Sequence, residues 1–151
     1  MDAAIIEGVK LVSLLEIGDS RGAVLHMLRN DSPDFIAFGE CYFSEVLPGV
    51  IKGWKKHHLQ TQNLAVPVGR IRIVMFDDRI ESSTKGLVQV VELGRPDAYI
   101  RVTIPPGIWY AFSCISSEKG LLVNCADIPH QSSESETMPL VQSSIPYKWQ
   151  K

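Results

Sequence analysis

Hydrophobic and polar positions alternate along this chain far more often than they repeat with helical spacing. In "GRIRIVMFDD" (69–78), Ile71, Ile73 and Met75 fall on one side of an extended chain, and Arg70, Arg72 and Val74 on the other. In "FIAFGECYFSEV" (35–46), the same period of two puts Ile36, Phe38, Glu40 and Tyr42 on one face. Runs rich in branched or aromatic residues recur at 8–17, 23–29, 49–54, 87–93, 99–104, 109–115 and 120–128. Turn-forming clusters such as "GDSRG", "NDSPD" and "LPG" separate them. No segment offers three capped helical turns. Strands at this spacing predict an all-β chain, an antiparallel barrel or sandwich. The closing stretch "HQSSESETMPLVQSSIPYKWQK" is polar and Ser-rich. It reads as loops or one short helix anchored by Ile145, Tyr147 and Trp149. The expected organisation is one barrel domain over 1–135 and a C-terminal tail over 136–151 packing on or near it.

The 151 residues suffice for one domain with a real core. Net charge is only −2, so no global basic field favours nucleic acid or an anionic membrane as partner. Three cysteines, Cys41, Cys114 and Cys125, form no close pair in sequence and no CxxC, which argues against a disulfide framework or a structural zinc. The first twenty residues do not read as a signal peptide, and no long apolar window spans a membrane. A cytoplasmic location is therefore expected.

One stretch stands apart. "GVIKGWKKHHLQTQNLAVPVG" (49–69) has the glycine and ligand spacing of a small-barrel pocket, and its cationic run "KGWKKHH" sits inside that spacing. As a strand over 50–57, it would turn Lys55 and His57 to the same side as Ile51 and Gly53. With Gln62, and with Tyr110 after Pro105-x-Gly107, Lys55 and His57 occupy the four positions at which this architecture holds metals. Lysine, one imidazole, a glutamine and a tyrosine make a poor transition-metal site, so no metal is expected.

The pieces "DSRGAVLHML", "GVIKGW", "FDDR", "IPPGIWYAF" and "LLVNCAD" fall in the order and spacing of dTDP-4-dehydrorhamnose 3,5-epimerases. The chain resembles a divergent, shorter subgroup of that family over about residues 10–130. The resemblance implies a cupin (jelly-roll) fold and proton abstraction next to a sugar ketone. It also implies no cofactor, because the ketone itself is the electron sink, and a homodimer in which the N-terminal strand often crosses over. By position, Arg21 and Lys52 match phosphate-binding arginines, and Asp77 matches a retained aspartate. Lys55 stands in place of the catalytic histidine, and Gln62 in place of a lysine that steadies the enolate. Tyr110 stands in place of a motif histidine, and Val123 in place of the tyrosine acid.

Enolisation needs a base, an oxyanion donor and an acid. Lys55, among Lys52, Lys56, His57 and His58, is one candidate base, since neighbouring positive charge lowers a lysine's pKa. His57 is the other candidate. Tyr110 is the candidate acid, and Asp77 the group that orients a cationic partner. Arg21, Lys52, Gln62, Glu40 and Tyr42 are the candidate substrate-binding residues. His130, in "DIPHQ", is placed at the barrel mouth without a role. Each of these also has a plain structural reading: rim lysine, hydrogen-bonded barrel histidine, core tyrosine or surface ion pair. Trp54 and Trp109 fit the core, an interface, or stacking on a sugar or base.

The expected function is an epimerase or isomerase acting on a nucleotide-linked 4-keto-6-deoxy sugar, by single epimerisation or keto-isomerisation. The alternative is a non-catalytic cupin that binds a nucleotide sugar in polysaccharide biosynthesis. A metal-dependent cupin oxygenase is disfavoured by the ligand set.

Overall fold

The computed structural model describes residues 5–141 and 143–150. In chain order the strands are β1 (Lys10–Ser13), β2 (Glu16–Asp19), β3 (Gly22–Leu25), β4 (Glu40–Val46), β5 (Ile51–His57) and β6 (Gln62–Val68). They continue as β7 (Arg70–Asp77), β8 (Val88–Gly94), β9 (Ile100–Ile104), β10 (Ile108–Cys114), β11 (Gly120–Ala126) and β12 (Ser135–Thr137). One sheet runs β1-β9-β6-β11-β4 and the other β12-β5-β10-β7-β8, while β2 and β3 form a separate hairpin. Every strand pairing is antiparallel. This is the all-β antiparallel sandwich expected from the strand spacing, in the jelly-roll form that the resemblance implies.

The two sheets bury their facing sides against each other. Ile71, Ile73 and Met75, all fully buried, meet Leu64, Val102, Ile104 and Leu122 from the opposite sheet. The 23–29 run is a strand only as far as Leu25, and 35–39 stays irregular until Glu40. The 8–17 run breaks into β1 and the start of β2.

Outside the second sheet lies a smaller aromatic cluster. Trp54, Val74, Trp109, Ala111 and Ile145 are buried there, with Tyr147 and Trp149 against them. The ring centroids of Trp54 and Trp149 are 5.7 Å apart. The C-terminal stretch holds a single 3₁₀ turn, Ser132–Glu134, rather than a longer helix. Strand β12 then adds to the edge of β5, pairing Ser135 with His57 and Thr137 with Lys55. The division at 135/136 therefore falls inside a strand of the barrel sheet.

Strand β5 does not alternate regularly. Its pairing with β10 sets Phe112 opposite Lys52, Ala111 opposite Gly53, and Tyr110 opposite Lys55, leaving Trp54 as the extra residue of a β-bulge. Directly opposed residues share a face. Phe112 and Tyr110 belong to the inner core and Ala111 to the outer cluster. The bulge therefore turns Lys52, Lys55 and His57 inward and leaves Ile51 outside, which corrects the strict period-two expectation. Gly53 makes the bulge possible: its φ is +140°, and a Cβ there would lie only 2.7 Å from Ala111 Cα.

Candidate active site

A pocket of about 170 Å³ opens between the sheets, walled by Tyr42, Lys52, Lys55, Tyr110, Phe112 and Asn124 among others. Pockets that enclose a drug-sized ligand run to roughly 300–1,000 Å³, so this one suits a single ring of a larger molecule.

Behind Tyr110 lies a buried relay. The Tyr110 hydroxyl is 3.2 Å from His57 Nε2, and His57 Nδ1 is hydrogen-bonded to Glu134 Oε1. Glu134 Oε2 accepts the backbone N–H groups of Leu59 at 3.1 Å and Gln60 at 3.2 Å. His57 and Glu134 are both about 96% buried. Burial acts to raise the Glu134 pKa, yet the hydrogen bonds from His57, Leu59 and Gln60 prevail and hold it below the usual carboxylate value. Burial is the main force lowering the His57 pKa; Lys55 and His130 add to it, against the pull of Glu134. His57 is thus a neutral imidazole at pH 7, with Nδ1–H donated to Glu134 and the Nε2 lone pair open to the Tyr110 O–H. Tyr110 has its pKa pushed far up by burial and stays protonated at rest.

Glu134 was not visible as a site residue in the sequence. It lies in a Ser-rich stretch, 77 positions from His57. Its signal, an acidic residue near the C-terminus of the barrel, is shared by Glu136, which sits at the surface beside Lys56 and His58.

The opposite wall carries a chain of amides. Gln60 Nε2 donates to the Ile128 carbonyl at 2.6 Å, and Gln62 Nε2 donates to Gln60 Oε1. Asn124 Nδ2 donates to Gln62 Oε1 and, at 2.9 Å, to the Tyr42 hydroxyl. Gln62 is thus buried behind Asn124 and does not itself wall the pocket, contrary to expectation. Glu40 shares the Tyr42 face of β4 but lies outside the pocket wall.

The cationic run is divided by the fold. Lys55 reaches the pocket. Lys52 stands at its edge, with Nζ held by Ser44 Oγ at 3.0 Å and the Glu45 carbonyl at 2.6 Å. Lys56 turns outward to Asp78 and Glu136 and lies over the Trp109 ring, while His58 pairs with Glu136. Of the five cationic positions, Lys52, Lys55 and His57 thus turn to the pocket side and Lys56 and His58 to the outside.

Two further candidates, Arg21 and Asp77, lie away from the pocket, and so does Val123, the position that the resemblance matches to the tyrosine acid. Arg21 is at the tip of the β2–β3 hairpin, its side chain 88% exposed and paired with Asp19 at 2.6 Å, so one chain alone does not bring it to the site. Asp77 is fully buried at the far end of β7, where Arg79, Ser82 and Thr84 hold it. Burial raises its pKa, but those hydrogen bonds bring it well below the usual range; it anchors the 79–84 turn. Val123 faces away from Leu122 and Asn124 on β11, so Asn124 rather than Val123 meets the pocket. His130 is exposed and acts on His57 only through its charge. Among the described residues, no three His, Cys, Asp or Glu side chains converge as metal ligands. Among the same residues no helix is long and apolar enough to cross a membrane.

No protein-family model matches the chain. The chain is 31% identical over 121 residues to the probable low-salt glycan biosynthesis epimerase Agl13 of Haloferax volcanii, covering 79% of this chain and 77% of that one. The crystal structure of a dTDP sugar isomerase from Desulfovibrio desulfuricans superposes with a TM-score of 0.93 at 49% identity, covering 97% and 95% of the two chains. The dTDP-4-dehydrorhamnose 3,5-epimerase of Elizabethkingia anophelis shares the fold, with a TM-score of 0.81 at 18% identity over 98% of this chain and 84% of that one.

Proposed function

This chain belongs to the dTDP-4-dehydrorhamnose 3,5-epimerase-like family of cupin-fold sugar-nucleotide epimerases and isomerases, and on that premise we propose that it enolises a nucleotide-linked 4-keto-6-deoxy sugar within this pocket. The observation that carries the reading is the Glu134–His57–Tyr110 relay ending at the pocket wall. A carbon next to a ketone loses its proton only if a base takes it and the enolate oxygen is stabilised. Tyr110 faces the sugar. As its hydroxyl proton moves to His57 Nε2, its oxygen takes the proton from carbon, and Glu134 steadies the imidazolium that forms. Burial disfavours a free phenolate, so the two transfers are concerted. The Lys55 ammonium, on the same wall, neutralises the enolate oxygen.

Return of a proton to the opposite face of the carbon gives an epimer; return to the neighbouring carbon after the enediol shifts gives a keto-isomer. In this reading Lys52, at the pocket edge, meets the diphosphate. Arg21 joins the site only if a second chain presents it. Large apolar side chains exposed on the hairpin, Ile17 at 53% and Val24 at 61%, support such a homodimer. The three free thiols suit a reducing compartment and support a cytoplasmic location.

The test is incubation of the purified protein with dTDP-4-keto-6-deoxyglucose, with the product sugar identified by NMR. An inverted centre or a migrated ketone is the expected result. Unchanged sugar, together with no detectable binding of dTDP by calorimetry, would refute the reading.

A further inference from the structure

Asn124 presents a feature that the proton relay does not use. Its side chain is 2% exposed, yet Oδ1 is buried without a hydrogen-bond partner. A buried acceptor left empty is costly, and one on a pocket wall implies a ligand donor.

The direction of this amide is set from outside the pocket. A backbone carbonyl can only accept, so the Ile128 carbonyl makes Gln60 donate through Nε2. Gln60 Oε1 must then accept from Gln62 Nε2, and Gln62 Oε1 from Asn124 Nδ2. Reversing Asn124 alone would press two carbonyl oxygens together. Its Oδ1 is thereby left for whatever enters.

Tyr42 completes the pair. Its oxygen accepts from Asn124 Nδ2, so its O–H is free to donate. Burial pushes its pKa up, and the proton stays in place. The wall thus offers one fixed acceptor beside one fixed donor. A hydroxyl satisfies both at once, because it donates and accepts. A ketone oxygen cannot donate and leaves Asn124 empty.

Building on the function proposed above, we infer that Asn124 and Tyr42 form a hydroxyl-recognising subsite that sets the orientation of the sugar ring. With a sugar hydroxyl held on the β4–β11 wall, the ketone is directed to Lys55 on β5 and the reacting C–H to Tyr110 on β10. Asn124 is a specificity-determining residue for this reaction, and Gln60 and Gln62 are its positioning residues.

The test compares dTDP-4-keto-6-deoxyglucose with its analogues lacking the C2 or the C3 hydroxyl, using wild type, Asn124→Ala and Tyr42→Phe. Calorimetric affinity is measured for every pair, and kcat and KM for the parent sugar. In wild type, removal of one of the two hydroxyls should weaken binding by at least about 10-fold. In Asn124→Ala that penalty should fall to about 2-fold or less, with affinity for dTDP alone unchanged. Tyr42→Phe, a partly exposed position where folding is secure, should reduce the same penalty and no other. Equal penalties in wild type and both variants, or none at either hydroxyl in wild type, would overturn the inference while leaving enolisation intact. Failure of wild type to bind any of the three sugars would overturn both readings.

Discussion

Glu134 accepts hydrogen bonds from the His57 ring and from two backbone N–H groups, so one buried carboxylate is held by three donors. His57 belongs to β5 and Glu134 to the turn leading into β12, and the pairing of these two strands brings them together. The last strand of the barrel is therefore part of the proton relay as well as of the sheet. Glu134→Gln keeps the volume but removes the charge that steadies a His57 imidazolium. We expect kcat to fall by about 10²–10⁴ with KM little changed. Stability should drop by about 1.5–3 kcal/mol, read by urea denaturation.

Lys55 is assigned to the enolate oxygen rather than to proton abstraction. Lys55→Met should lower kcat by about 10²–10³. The acid limb of the pH–rate profile belongs to His57; in Lys55→Met it should persist and move slightly to higher pH, because the Lys55 charge helps to hold the His57 pKa down. Disappearance of that limb with Lys55 would make the lysine the base.

Two groups of the relay contribute to the pH dependence of stability. The pKa of His57 lies below its ordinary 6.5 and that of Glu134 below its ordinary 4.5. In each case the unfolded chain binds the proton more readily than the folded one. Their contributions are therefore complete above the unfolded values and are lost as pH falls through the folded ones. Unfolding free energy should be flat near pH 7–8 and should decline on acidification below about pH 6.5, continuing below about pH 4.5. Denaturation of wild type and His57→Gln between pH 8 and pH 4 checks this; the variant should lose the upper part of the decline.

Gly53 holds the bulge that turns Lys52, Lys55 and His57 inward together. Gly53→Ala forces a side chain at φ +140° against Ala111. It should cost about 2–4 kcal/mol of stability in a thermal or urea melt. A variant as stable as wild type would mean that the bulge relaxes easily.

The strands were legible because one face of each sheet is buried, and a buried face imposes period two on the sequence. β7 shows it plainly: Ile71, Ile73 and Met75 point inward as their alternation predicts. The pocket was legible only in part. Lys55, His57 and Tyr110 stand at recognisable spacings, and all three take part in the pocket wall or the relay behind it. The bulge at Trp54 was hidden, because it depends on how β5 registers against a strand more than fifty residues away. Glu134 was hidden for the same reason: nothing local separates it from Glu136, and only the pairing of β12 decides which carboxylate is buried. Asn124 was masked by its neighbour Val123, since which face of β11 turns inward is set by pairing with β4 and β6.

In the proposed reaction Tyr110, backed by His57 and Glu134, moves a proton on and off a carbon next to the sugar ketone. The most direct test is proton NMR of dTDP-4-keto-6-deoxyglucose in deuterated water, with wild type and with Tyr110→Phe. Wild type should erase the C3 or C5 proton signal, and Tyr110→Phe should slow that exchange by at least about 100-fold while still binding dTDP. Exchange at the wild-type rate in Tyr110→Phe would exclude Tyr110 from the proton transfer and move the base elsewhere in the pocket.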